Sequence, residues 1–356
     1  MASKQFMVSR RGFLKLGVGA AATATAGGLL KARPAGAQGG LKPGFESKFT
    51  VCDMCFNKCS AIARVGDGVV RKLDPNPKFL KSRGMLCAKG NAGIHQLYDP
   101  NRLKHPLLRV GERGEGKFKR ISWQEALDLA AAKMGAIAKE HTRCGMLFMA
   151  GADMQSTFVH RFAEAFGSYN VISHESNCLL SNNRAFLDTF GEVPIPDVLN
   201  SKYILMVGAN RFESLVTPDS IDLMTALRQH GCKLVVLDPR YTKTAALANE
   251  HHAIRPGTDL ALMLALMHVL IGEELYDQRF VAEKTYGLEQ LRDHVRPYSP
   301  EWAEGETQIP AEAIRRMARE MAAVAPAAMV YPGRRSSDYA NSTQIRRGFA
   351  MVNALL

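Results

Sequence analysis

Three cysteines, Cys52, Cys55 and Cys59, crowd one short stretch, "VCDMCFNKCS", and a fourth, Cys87, stands alone in "GMLCAKG". The spacing C-x2-C-x3-C-x27-C constrains the fold more than any other feature. One loop must curl to aim three sulfurs at a common point, and a separate turn must arrive there with the last. Three chemistries compete for such a set. Structural zinc usually draws its ligands from two short knuckles, which this spacing lacks. A disulfide framework fits poorly with seven cysteines, an odd number, and with so tight a trio. A [4Fe–4S] cubane needs four thiolates at separate iron corners, so a loop that caps three and a turn that closes the fourth suits it best.

The N-terminus supplies a second constraint. "SRRGFLKLGVGAAATATAGGLL" pairs Arg10 with Arg11, follows with Phe13, Leu14 and Lys15, and continues into a weakly apolar run of Ala and Gly. The order S-R-R-x-F-L-K looks like a twin-arginine signal at residues 1–37, with cleavage after Ala37 in "AGA". Its apolar part is too short and glycine-rich for a spanning helix. Such a route suits a protein that takes up its cluster in a reducing compartment and is exported folded to the periplasm.

The signal also explains much of the charge. The chain of 356 residues carries a formal +12, and residues 1–37 hold Lys4, Arg10, Arg11, Lys15, Lys31 and Arg33 with no acid, half of that excess. Without a basic run interleaved with aromatics, nucleic acid is not an expected partner. The remaining positive charge favours a small anionic substrate or pyrophosphate. A linker within "ARPAGAQGGLKPG", assigned to residues 38–47, leads to a cluster domain at 48–110 and an α/β region at 111–356.

That region reads as doubly wound. "GMLFMAG", "KYILMVGAN", "KLVVLD" and "AAMVYPG" are short apolar runs ending in Gly, Asn or Asp, and helical patterns separate them. Ser122 stands three residues before Glu125 in "ISWQEAL", a capping box for a helix from Trp123. "ALMLALMHVLI" has the length of a buried core helix rather than a membrane span. Ligands of open parallel sheets gather outside the carboxyl ends of the strands, where "GANRFES" and "LDPRYTKTA" lie. Asp238, at such an end, suits a ribose diol, and Arg240 suits a phosphate. No strand is followed by G-x-G-x-x-G, which argues against ordinary NAD binding.

With "CAKG" and "LYDPNRLKHPL" after the cysteines, the chain resembles the molybdopterin oxidoreductases of the dimethyl-sulfoxide-reductase family. The resemblance implies a small N-terminal iron–sulfur domain followed by doubly wound parallel-sheet domains. It also implies two cofactors, a [4Fe–4S] cluster and a molybdenum or tungsten bis(molybdopterin guanine dinucleotide). Lys89 becomes the cation between cluster and pterin. Asn210, Glu213, Asp238, Arg240, Gly257 and Asp259 become cofactor contacts. Members of the family run longer and end in a barrel-like domain, so the C-terminal part of the family fold is expected to be missing here. The implied partners are a multi-cluster ferredoxin-like electron-transfer subunit and a quinone-linked membrane anchor subunit.

In this family the metal takes four dithiolene sulfurs and usually one side chain. "SHESNCLLSNNRAF" lies at the expected distance, which implies Cys178 as that ligand; a soft thiolate suits such a metal. His174 and Glu175 stand near it, whereas Cys144 and Cys232 read as small apolar residues. A cysteine ligand excludes the serine and aspartate branches. Formate dehydrogenases typically place His directly after the ligand, where this chain has Leu179. The resemblance is then strongest to reductases of polysulfide, thiosulfate or tetrathionate, and "RVGERGEGKFKRISWQEAL" points the same way. Two-electron reduction, with the metal cycling between IV and VI, is the implied chemistry. Arg334 and Arg335, after the strand run ending at Gly333, are candidates to hold the anion. Arsenate reductase, formate dehydrogenase and a non-catalytic iron–sulfur electron-transfer subunit are the alternatives.

Overall fold

The computed structural model describes residues 45–55, 57–151, 155–174, 178–214 and 219–356. The signal peptide and most of the linker expected from the sequence lie outside the described residues. Among those described, no helix is long and apolar enough to cross a membrane.

The first elements form an antiparallel sheet of β1 (Glu46–Val51), β2 (Ser60–Gly66) and β3 (Val69–Pro75) in that order. A two-residue Asp67-Gly68 turn, with both φ angles positive, joins β2 to β3 as short hairpins require. The loop between β1 and β2 carries Cys52, Cys55 and Cys59, and α1 (Ala88–Asn91) begins directly after Cys87. A small hairpin follows, β4 (Leu107–Arg109) with β5 (Phe118–Arg120).

Helix α2 (Trp123–His141) starts where the sequence predicts, with the Ser122 hydroxyl accepting the Glu125 amide at 3.1 Å. Strand β6 (Phe148–Ala150), helix α3 (Ser156–Phe166) and strand β7 (Val171–Ser173) make a parallel β–α–β unit. Helix α4 (Leu180–Phe190) then begins two residues past Cys178 and caps on the left-handed Gly191.

The central sheet contains β8 (Tyr203–Val207), β9 (Lys233–Leu237), β10 (Glu250–His252) and β11 (Ala328–Pro332), all parallel, in the order β10–β9–β8–β11. Helix α5 (Asp219–Gln229) lies between β8 and β9, α6 (Asp259–Gly272) follows β10, α7 (Ala311–Ala323) precedes β11, and α8 (Ser342–Leu355) follows it. The continuous apolar run of β8 now has a cause: both faces are covered. Tyr203, Leu205 and Val207 face α6, α7 and α8, while Ile204 and Met206 pack with Leu223 and Ala226 of α5. Helix α6 is buried along most of its length, as its uniform apolarity requires.

At the opposite end of the sheet from the strand carboxyl ends, Lys233 reaches Glu250 and Glu320, each at 2.7 Å, and Arg316 also contacts Glu250. Burial raises the Glu250 carboxyl, but Lys233 and Arg316 more than offset this and hold it below the ordinary range. The two carboxylates likewise outweigh burial and raise Lys233. The network therefore stabilises the fold fully between the ordinary glutamate and lysine ranges. Its contribution fades as pH falls through the lowered Glu250 value. Lys233→Met is expected to cost about 1–2 kcal/mol at neutral pH, with the gap to the parent narrowing on acidification; denaturant unfolding across pH measures it.

Candidate functional site

The cysteine loop is held by its own backbone. The Cys52 amide donates to the Cys59 carbonyl at 2.8 Å, the Lys58 amide donates to the Cys55 carbonyl at 3.3 Å, and Lys58 has a positive φ. The Asn57 amide group, buried, donates to Cys59 Sγ at 3.0 Å. On the other side, Asn91 donates to the carbonyls of Leu86 and Cys87 at 2.9 and 3.1 Å, which fixes the turn into α1. Burial raises the Cys52 thiol first, and the charges of Cys59, Cys55 and Cys87 raise it further. Four sulfurs in electrostatic reach of one another repel as thiolates, and a cationic cluster core relieves that repulsion. Among the described residues no three such side chains converge tightly enough for a single ion, whereas a cubane spreads its sulfurs over separate irons. The donor set fits a [4Fe–4S] cluster. Lys89 sits half-buried on α1, two residues beyond Cys87.

The candidate dinucleotide residues stand at the carboxyl ends of the parallel strands, as the topology demands. Asn210 follows β8; its side-chain oxygen accepts from Thr244 Oγ1 at 2.8 Å and its amide donates to Glu213. Lys243 approaches Glu213 at 3.8 Å, so these residues tie the β8 end to the β9 end. Asp238 closes β9 and turns the chain by accepting the Arg240 amide at 2.9 Å. Gly257, at φ +86°, precedes α6; a Cβ there would lie 3.3 Å from the Tyr339 ring. Asp259, the first residue of α6, is buried, which raises its carboxyl despite a hydrogen bond from its own backbone and the charge of Arg346.

Two segments far apart in the chain meet at the third feature. Arg334 Nη1 lies 3.9 Å from Cys178 Sγ and 3.5 Å from Asp338 Oδ1. Cys178 is half-buried in the turn before α4, and Arg334 follows the end of β11. Arg335 opens the helical turn Arg335–Ser337, but its side chain lies outside the described residues, as does Glu175. His174 is exposed. Cys232 is buried against the central sheet, its thiol pushed up to about 11 by burial, and it behaves as the small apolar residue expected.

Gly333 is what allows β11 to end so close to β8. A Cβ at Gly333 would stand 1.9 Å from the Gly208 carbonyl oxygen, and the Gly333 amide donates to Val207 O at 2.6 Å. Sequence reasoning missed Arg346, which is 1% exposed beneath this loop; the one signal that could have found it is a basic residue among the apolar positions of "TQIRRGFAMVNALL".

Family models match both parts of the chain: the molybdopterin oxidoreductase Fe4S4 domain at residues 46–99 and the molybdopterin oxidoreductase model at residues 102–356. The thiosulfate reductase molybdopterin-containing subunit PhsA of Salmonella typhimurium is 38% identical over 98% of this chain and 46% of its own length. The arsenate respiratory reductase molybdopterin-containing subunit ArrA of a Shewanella strain is 31% identical over 86% of this chain and 40% of its own. Among solved structures, acetylene hydratase from Pelobacter acetylenicus aligns with a TM-score of 0.73 at 29% identity, covering 86% of this chain and 43% of that one. The chain thus spans about half the length of the curated relatives it matches.

Proposed function

Because the chain belongs to the molybdopterin oxidoreductase family, we propose that it is the catalytic part of a reductase for a sulfur compound or sulfur oxyanion such as polysulfide, thiosulfate or tetrathionate. The observation that carries the reading is the Arg334 guanidinium 3.9 Å from the Cys178 sulfur, at the carboxyl edge of a parallel sheet. Identity to a thiosulfate reductase subunit over almost the whole chain supports it.

When bound, the pterin-held metal supplies two-electron chemistry and the cluster supplies electrons singly. The chain's residues provide the rest. Cys52, Cys55, Cys59 and Cys87 would hold the cluster, and Lys89, two residues beyond Cys87, would put a positive charge near it. Cys178 would supply a sulfur ligand to the metal. Arg334 orients an anionic substrate there through a planar fork that matches oxyanion geometry. Asp238 and Arg240 suit the sugar and phosphate of a dinucleotide tail.

Export by the twin-arginine route to the periplasm belongs to the same proposal, on the strength of Arg10 and Arg11. So do an electron-transfer subunit to feed the cluster and a membrane anchor subunit to connect it to quinone. Arsenate reduction is the second reading, favoured by the arsenate reductase relative, since arsenate is also an oxyanion that Arg334 would hold.

The test is made on the full-length enzyme with a reduced dye as electron donor. Turnover of a sulfur substrate and not of arsenate or formate is expected; the reverse would replace the first reading by the second. Arg334→Lys is expected to raise KM about tenfold, with metal and pterin content retained, because lysine keeps the charge and loses the fork. Loss of pterin would reassign Arg334 to cofactor binding, and an unchanged KM would remove it from the substrate site.

A further inference from the structure

Arg346 is buried in α8 with 1% exposure, and most of its hydrogen bonds reach the two segments that form the proposed reaction centre. Nη1 donates to Asn182 Oδ1 at 3.0 Å, in the first turn of the helix that follows Cys178. Nη2 donates to the carbonyl of Gly333, to the Arg334 carbonyl at 3.3 Å and to Ser337 Oγ at 2.7 Å. These acceptors are all neutral oxygens. Nε has no partner. Burial pulls the guanidinium down to about 10, against the opposing charges of Asp259 and Asp338, so it stays protonated at neutral pH.

A buried guanidinium that makes no ion pair within 4.0 Å among the described residues, with Asp259 and Asp338 acting only from farther off, is a poor device for stability, since an apolar residue of similar size packs at lower desolvation cost. What the planar fork does provide is simultaneous contact with two segments more than a hundred residues apart. Lysine carries its three donors on one nitrogen and lacks the separated Nη1 and Nη2 that reach the two segments here. We infer that Arg346 is a positioning residue, which locks the Gly333–Arg334 strand end onto helix α4 and so keeps the Arg334 guanidinium against Cys178. This deepens the reading above and rests on the pairing of Cys178 with Arg334.

The experiment reads the charge beside the Cys178 sulfur rather than turnover. Full-length protein is produced in a host that cannot make the molybdenum cofactor, so that Cys178 is open to alkylation. Peptide mass spectrometry then follows its reaction with iodoacetate, an anion, and with neutral iodoacetamide. The ratio of the two rates reports a nearby positive charge and is insensitive to a uniform change in stability. Arg334→Ala should lower the ratio on the order of fivefold, the size expected for one screened charge near 4 Å. Arg346→Met and Arg346→Lys should lower it by a similar factor, and the Arg334→Ala/Arg346→Met double variant should fall no further than Arg334→Ala alone.

Folded Arg346 variants that keep the parent ratio would overturn the inference and leave Arg346 as core packing. An unchanged ratio in Arg334→Ala would instead sink the Arg334–Cys178 pairing, and the inference with it. Where Arg346→Met fails to fold, Asn182→Ala cuts only the link to α4. A reduced ratio there supports the positioning role, and the parent ratio in both Asn182→Ala and Arg346→Lys refutes it.

Discussion

Cys87→Ser is expected to strip the protein of its [4Fe–4S] cluster. Cys52, Cys55 and Cys59 share one loop whose hydrogen bonds close within it, but the fourth corner depends on a single residue at the mouth of α1. No substitute is at hand, since Cys144, Cys178 and Cys232 belong to other elements. Serine offers a harder oxygen that binds iron poorly beside three thiolates. Iron analysis and visible absorbance should both show the loss, and thermal unfolding should occur at lower temperature because cluster binding is coupled to folding. Four irons per chain retained in the variant would show that Cys87 is not a ligand.

The second large effect is structural and lies under the proposed reaction centre. In Gly333→Ala the new methyl would sit 1.9 Å from the Gly208 carbonyl oxygen, 2.2 Å from its carbon and 2.7 Å from the Ala209 nitrogen. All three are backbone atoms at the end of β8, a strand paired on both sides, so no side chain can swing away to make room. Either β11 peels from β8 or the strand ends distort. A cost of roughly 3 kcal/mol or more is expected, lowering Tm by on the order of 5 °C or more. Gly208→Ala makes the comparison. Gly208 has φ +62° but open space around a Cβ, so only the conformational cost of about 1–2 kcal/mol applies. Equal stability of Gly333→Ala and parent would mean that the two strand ends do not approach as described.

Much of the fold was legible because its signals are local. A central parallel strand is buried on both faces and must be apolar throughout, which marks 203–207 and 233–237 whatever their neighbours are. Ser122 and Glu125 announce a helix start by bonds that close within one turn. The weaker elements escaped. Strand β10 reads "EHH", polar because Glu250 pairs with Lys233 and His251 bonds the Asp238 carbonyl, and α4 reads as a polar segment because only Ala185 and Phe186 of it are buried.

By itself the sequence supplied the candidate cluster ligands, the alternation of strands and helices, and the candidate positions for a bound ligand. Ligand spacing and burial periodicity are properties of neighbouring residues, and they survive without knowledge of the rest. Only the tertiary structure decided that β11 lies beside β8 and that Cys178 and Arg334, 156 residues apart, stand 3.9 Å from each other. It alone showed that Gly333 must lack a side chain and that Arg346 points inward to hold both. These depend on sheet order and on which helix face packs against which strand, and neighbouring residues carry no record of a partner that arrives from so far along the chain.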